Sequence, residues 1–202
     1  DFAKQLANAS KAPLILLPQT YGPYGNAFLR RWAAHIVRHA AVAMSRDDRS
    51  AMEMAELGCD GVVVATDLAF ALPFNKDKYT TTMGNETKVG LNVSSLLWDR
   101  GHGIRLEVDY REYCRRVIAR YAGGPGYEVH LIPHVIDREN PDALENDSRV
   151  CRLLAEEFPA TVLAPNFDSP VDAKSYISNM DVFIGARMHS TIASMSSGVP
   201  TI

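Results

Sequence analysis

Cysteine is scarce. Cys59, Cys114 and Cys151 are the only three in 202 residues; an odd number so widely spaced excludes a disulfide framework and a CxxC-type zinc site. A reducing compartment is the expected setting. Long apolar runs are missing as well, and no stretch approaches the roughly 18 consecutive apolar residues of a membrane-spanning helix. Asp1 to Lys11 is polar and amphipathic rather than a charged-then-apolar leader. Together these absences point to a cytoplasmic protein. An excess of positive charge is also lacking: 21 Lys and Arg stand against 24 Asp and Glu, for a net charge of -3. That excludes a strongly basic surface for nucleic acid and leaves room only for local basic pockets. The phosphate cradles GxxxxGK[ST] and GxGxxG are absent, as is the GxSxG nucleophile elbow. Internal repeats and low-complexity segments are absent too. What is present is ordinary globular usage, 47% apolar and 22% charged, which excludes disorder, collagen and coiled coil. The length suits one large domain or two small lobes.

Strands and helices alternate. Leu14 to Leu17 is a short apolar run ending at Pro18, the pattern of a strand buried on both faces of a parallel sheet. Phe28, Trp32, Ile36 and Ala40 then recur at helical spacing over Asn26 to Ala41, with Asn26 as N-cap. A strand over Ala41 to Ser45, a helix over Asp47 to Leu57 closed by Gly58, and a strand over Gly61 to Ala65 complete a β-α-β-α-β unit. The polar stretch Phe74 to Thr87 has no apolar period and reads as a crossing between lobes. The boundary is therefore placed between an N-terminal lobe, 1–80, and a C-terminal lobe, 81–202. In the second lobe, strands are expected at Lys88–Val93, Glu128–Pro133, Thr161–Ala164, Val182–Ile184 and Val199–Ile202. Helices are expected around Tyr110–Tyr121, Ser148–Phe158, Asp172–Met180 and His189–Ser197. The fold class is α/β, two Rossmann-like lobes with parallel sheets. Both ends break off inside a pattern, so the 202 residues read as the middle of a longer chain.

Open α/β sheets bind ligands at the carboxyl ends of their strands, which makes the residues just after each strand the informative ones. Gln19 follows the first strand in a turn that serves either as a ligand loop or simply as a well-made turn. Asp47 and Asp48 read as helix-cap carboxylates, but Arg46 beside them is a cation at the positive end of a helix and calls for a compensating anion, such as a ligand. Asp67 reads first as a turn former and second as a substrate hydrogen-bond acceptor. Asn92 and Ser94, two apart, point to one side of the chain. His134 closes a strand, where a lone histidine is commonly a structural hydrogen-bonder, and no partners for a metal site accompany it. Phe183-Ile-Gly-Ala-Arg-Met-His-Ser190 is the sharpest segment. Arg187 and His189 emerge together from a buried strand, and Ser190 opens a helix of small residues. An arginine there can grip a carboxylate or phosphate, and a histidine stands where an acid or base is wanted.

Taken in order, Leu17-Pro-Gln-Thr-Tyr-Gly-Pro23, Ser45-Arg-Asp47 with Glu56-Leu-Gly58, Thr66-Asp-Leu-Ala-Phe70, Val89-Gly-Leu-Asn-Val-Ser94, Asp181 to Ser190 and Gly198-Val-Pro-Thr201 resemble the polysaccharide pyruvyl transferase family. The resemblance runs along nearly the whole chain, with Gly-Ala-Arg-Met-His-Ser followed by Gly-Val-Pro as its most specific part. It implies a fold like the two-lobed GT-B glycosyltransferases. It also implies transfer of a pyruvyl group from phosphoenolpyruvate to a sugar of a cell-surface or exported polysaccharide, forming a ketal. The implied donor ligands are Arg187 and, as a second cation, Arg46; His189 is the implied acid or base. Gln19, Asp67, Asn92, Ser94, His134 and Ser190 complete the candidate site. Neither a metal nor a cofactor is expected beyond the donor. The implied partners are phosphoenolpyruvate and a glycan or lipid-linked sugar acceptor, the latter bringing the protein to the inner face of the membrane without a basic amphipathic helix to hold it there. In extent the sequence departs from the family, whose members carry further strands, an Asn/Gly/Asp turn and a Gly-rich loop ahead of this region and more chain after Gly198-Val-Pro200. A nucleotide-sugar glycosyltransferase, a sugar epimerase of similar fold and a non-catalytic carbohydrate-binding protein are the competing readings.

Overall fold

A computed structural model of the chain describes residues 2–10, 12–80 and 85–202. Asp1 and Lys11 of the polar N-terminal stretch, and residues 81–84 of the expected crossing, lie outside the described residues. The chain forms two compact units, Asp1–Ala71 and Leu72–Ile202. The sequence places the lobe boundary later, between 80 and 81. Local packing gives Leu72 to Tyr79 to the second unit. Lys174 Nζ donates to the Leu72 carbonyl at 2.7 Å, the Asn75 amide donates to Ser175 Oγ at 2.9 Å, and Lys78 pairs with Asp172.

In the first unit, helix α1 (Phe2–Ala9) precedes strand β1 (Ile15–Gln19), helix α2 (Ala27–Arg38), strand β2 (Val42–Ser45), helix α3 (Asp48–Glu56) and strand β3 (Val63–Val64). The strands pair in parallel in the order β1-β2-β3. Caps start the helices where the sequence predicts them: the Asn26 side chain accepts from the Leu29 amide, and Asp47 accepts from the Ser50 amide at 2.7 Å. Leu16 and Ala43 point into a core with Ile36, Val37, Met54 and Leu57. Their neighbours Ile15, Leu17 and Val42 are exposed. Within this unit β1 therefore alternates, where the apolar run predicts burial on both faces, because the core lies on one side of the sheet.

The second unit is doubly wound. Strand β4 (Thr87–Asn92) leads through a short helix α4 (Ser95–Trp98) and helix α5 (Tyr110–Tyr121) to β5 (Tyr127–Leu131), then through α6 (Asp147–Glu157) to β6 (Val162–Leu163), α7 (Pro170–Ile177), β7 (Val182–Gly185) and α8 (Met188–Ser196). All pairings are parallel, in the order β6-β5-β4-β7. Val89, Leu91, Val129 and Leu131 meet Trp98 of α4, Cys114 and Ile118 of α5, and Val150, Cys151 and Leu154 of α6 on one face. Phe183 and Ile132 meet Ala173, Tyr176 and Ile177 of α7 and Ala193 of α8 on the other. Fully buried side chains of this kind contribute about 1.5–3 kcal/mol each, so the two cores fix the sheet firmly. Gly90 has no side chain because a Cβ there would meet Phe183, Met180 and Ile132 within 3.1 Å. Over the expected strand at Val199–Ile202, Thr201 bridges Phe183 in parallel, with the Phe183 amide donating to the Pro200 carbonyl, the Ile202 amide to the Phe183 carbonyl and the Gly185 amide to the Ile202 carbonyl.

Candidate functional site

The chain order of the second sheet creates one special place. From β4 the chain proceeds outward to β5 and β6, then returns to lay β7 on the opposite side of β4. The strand order thus reverses between β4 and β7, and loops leaving the carboxyl ends of those two strands diverge there, opening a crevice suited to a ligand. Asn92 ends β4 opposite Gly185 of β7, and Arg187 follows at once.

Asn92 is 1% exposed and ties the crevice together. Its Nδ2 donates to the Ile132 carbonyl beyond β5 at 2.9 Å, while its Oδ1 accepts from the Ala186 and Arg187 amides and from Ser190 Oγ. One amide side chain therefore sets the shape of the β7–α8 turn. Ser190 does not open α8, as the sequence suggests. The N-cap position belongs to Arg187, helix residues begin at Met188, and Ser190 lies fully buried one turn in, donating to Asn92 and to the Arg187 carbonyl.

Arg187 is not a bare surface cation. Its Nε lies 3.3 Å from both oxygens of Asp147, and its Nη2 donates to Asp147 Oδ1 at 2.9 Å and to the Glu145 carbonyl at 3.1 Å. Among the described residues nothing engages Nη1. Asp147, the first residue of α6, is completely buried. Its Oδ1 also accepts from the Ser95 amide and hydroxyl, and its Oδ2 from the His134 and Val135 amides. No local sequence pattern singles Asp147 out, since its partners lie far along the chain; only its place as the opening carboxylate of a helix is legible.

His134 stands beside this pair. Burial pushes its imidazole down to about 4; the Asp147 carboxylate opposes the shift and the His189 and Arg187 charges reinforce it. Its Nδ1 is buried and finds no partner among the described residues. At neutral pH it is a neutral ring. His189 lies exposed in the first turn of α8. Ser94 has a structural duty: its hydroxyl caps α4 by accepting from the Leu97 amide, and its own amide donates to the Tyr110 hydroxyl. Asn92, Ser94, His134, Arg187, His189 and Ser190 thus all belong to the carboxyl end of the second sheet.

The other candidates belong to the first unit. Arg46 follows β2, and its Nη1 pairs with Asp67 Oδ2 at 2.8 Å. The compensating anion that Arg46 calls for is therefore Asp67, which also accepts from the Ala69 amide in its turn. Gln19 at the end of β1 donates from Nε2 to the Tyr21 hydroxyl at 2.7 Å. It lines a cavity of about 280 Å³ with Tyr21, Tyr24 and Trp32. Among the described residues no group of three or more His, Cys, Asp or Glu is placed to hold a metal ion. Among them too, no helix is long and apolar enough to cross a membrane.

The model of the family described as polysaccharide pyruvyl transferase matches residues 1–202. The chain belongs to the polysaccharide pyruvyl transferase family. No curated protein matches this family member at a significant level. Solved structures share its fold. UDP-GlcNAc 2-epimerase from Neisseria meningitidis, bound to UDP-GlcNAc, superposes with a TM-score of 0.59 at 14% identity, over 98% of this chain and 54% of that one. The accessory secretory protein 1, 2 and 3 structure from Streptococcus pneumoniae gives 0.57 at 12% identity, over 98% and 37%. The Glycosylation Associate Protein (Gap123) complex from Streptococcus agalactiae gives 0.51 at 15% identity, over 98% and 40%. This pyruvyl transferase family member therefore spans about half or less of the solved chains that it matches, and its fold is the GT-B-like one of two α/β units with parallel sheets.

Proposed function

We propose that the protein transfers a pyruvyl group from phosphoenolpyruvate to a sugar of a cell-surface or exported polysaccharide, closing a cyclic ketal. The observation that carries this reading is the Arg187–Asp147 pair at the strand-order reversal. There a guanidinium is oriented by a buried carboxylate and keeps Nη1 for a ligand. A donor with both a carboxylate and a phosphate suits such a group, because bidentate and charge-assisted contacts to planar anions are what arginine does best.

In the reaction proposed, a proton from His189 adds to the methylene carbon of the enol, leaving an oxocarbenium-like carbon at C2. One sugar hydroxyl attacks C2 and gives up its proton; the C2–O bond to phosphate then breaks. The second hydroxyl closes the ring, and the protons shed by the two hydroxyls restore His189 and leave one over with phosphate. His134, neutral at working pH, adds no positive charge to the pocket. Asn92 and Ser190 hold the turn from which Arg187 and His189 project. Arg187 carries the donor in this reading; in the first unit Arg46 stays paired with Asp67, and Gln19 and Asp67 there are hydrogen-bonding groups of the kind that suits sugar hydroxyls. The setting proposed is the cytoplasm, at the inner face of the membrane for a lipid-linked acceptor, and the chemistry needs no metal or cofactor.

The test is to incubate the protein with phosphoenolpyruvate and a panel of glycans and to follow free phosphate and the ketal methyl resonance by NMR. Stoichiometric appearance of both, lost in His189→Ala, is expected. Hydrolysis or transfer from a nucleotide sugar in place of phosphoenolpyruvate would overturn the reading.

A further inference from the structure

Asp147 has more donors than a helix-opening carboxylate needs. Ser95 reaches it from the first residue of α4, His134 and Val135 from the loop after β5, and Arg187 from the turn after β7. Three segments that follow strand ends thus converge on one carboxylate. It is fully buried, and its partner guanidinium is 14% exposed. Burying a charge is costly unless it is paired and hydrogen-bonded, and here both oxygens are saturated by backbone amides and by arginine. Such a carboxylate cannot bind substrate itself, since no lone-pair direction is left open. Its surroundings fix it whether or not Arg187 is present, because the Ser95, His134 and Val135 amides belong to the backbone. Arg187, by contrast, is a long flexible side chain whose Nε and Nη2 find their partners, among the described residues, on Asp147 and the Glu145 carbonyl.

The geometry points to Asp147 as a positioning residue, one that clamps the Nε–Nη2 edge of Arg187 so that Nη1 is presented to an anionic ligand in a single orientation. The clamp also moderates charge. A neutral Arg–Asp pair binds a carboxylate or phosphate by directed hydrogen bonds rather than by bulk attraction, which favours an anion of the right shape over any anion. The identity of that anion as phosphoenolpyruvate rests on the function proposed above; the clamp itself does not.

Two measurements on the full chain separate these points. In protein labelled with nitrogen-15, the Arg187 Nε–H resonance, assigned by its loss in Arg187→Lys, is expected to be sharp and protected from exchange, and to vanish or broaden in Asp147→Asn. By calorimetry, phosphoenolpyruvate affinity is expected to fall roughly ten- to hundredfold in Asp147→Asn, the range for losing a charge-assisted bond. In an Arg187→Ala background the same change is expected to cost nothing further, because residues acting through one another are not additive. A merely structural carboxylate would weaken both backgrounds alike. Should Asp147→Asn fail to fold, Ser95→Ala removes one hydroxyl donor from the same oxygen and is expected to lower affinity in the same direction by a smaller factor. An unaltered Nε–H signal in the folded variant, or additive losses, overturns the clamp. A wild-type protein silent toward phosphoenolpyruvate whose Nε–H signal still depends on Asp147 supports the clamp and overturns the donor instead.

Discussion

At the scale of single residues, His134 gives the protein a measurable pH dependence. Burial holds its folded imidazole near about 4, below the ordinary 6.5, so between those values the unfolded chain binds the proton that the folded chain refuses. Stability is therefore full above about pH 6.5, falls as the pH drops through this window and levels off below about 4. This one group contributes a slope of at most about 1.4 kcal/mol per pH unit. His130, buried between Tyr176 and Glu128, is also pushed down and acts in the same sense. The prediction is thus comparative: His134→Asn should lose less stability than wild type between pH 7 and pH 5 in denaturant titrations, and parallel curves would contradict it. Arg187 makes the second residue-scale prediction. A lysine cannot span Asp147 and a ligand with one planar group, so Arg187→Lys should lower the pyruvyl transfer proposed above about a hundredfold while remaining folded. Steady-state kinetics beside circular dichroism checks both halves of that statement.

At the scale of elements, the turn from β7 into α8 depends on one amide and one glycine. Asn92→Ala would remove the acceptor that serves the part-buried Ala186 and Arg187 amides and the buried Ser190 Oγ. A cost of about 3 kcal/mol is expected, read as a lowered denaturation midpoint with little change in slope. Gly185→Ala would drive a Cβ into the Thr191 methyl and within 2.9 Å of Phe183. It should destabilise by about 1–3 kcal/mol and lower activity together with stability. Much at this scale is legible in the sequence. Helix α5 spans Tyr110–Tyr121 as the apolar period predicts, and Asn26 and Asp47 cap the helices that they precede. Helix α4 is not legible, because four residues hold too little period to register. Asp147 escapes for a different reason. Its role is defined by Ser95, 52 residues before it, and by Arg187, 40 residues after it, and a contact of that span leaves no trace in local spacing. The same distance explains why Arg187 reads as an unpaired anion ligand, and Arg46 likewise: each carboxylate partner comes from a different loop.

At the scale of the whole molecule, the alternation of short apolar runs with helical periods conveys the two parallel sheets, and the motif string conveys the family that the whole chain matches. The strand order β6-β5-β4-β7 is what sequence alone does not provide, since adjacency of β4 and β7 joins segments about ninety residues apart. That order locates the crevice and gives Asn92, Asp147, Arg187 and His189 a common setting. Each unit has its own apolar core, and every member of the Arg187 cluster lies within 72–202. A fragment of those residues is therefore expected to unfold cooperatively and to retain donor binding; a fragment that melts without a transition would contradict that division. The most direct test of the account is a calorimetric titration of the full chain with phosphoenolpyruvate, and with UDP in parallel, on wild type and Arg187→Ala. Saturable heat with phosphoenolpyruvate whose affinity falls about a hundredfold in the variant, and none with UDP, is the predicted result. Binding of UDP without phosphoenolpyruvate, or phosphoenolpyruvate binding indifferent to Arg187, would contradict it.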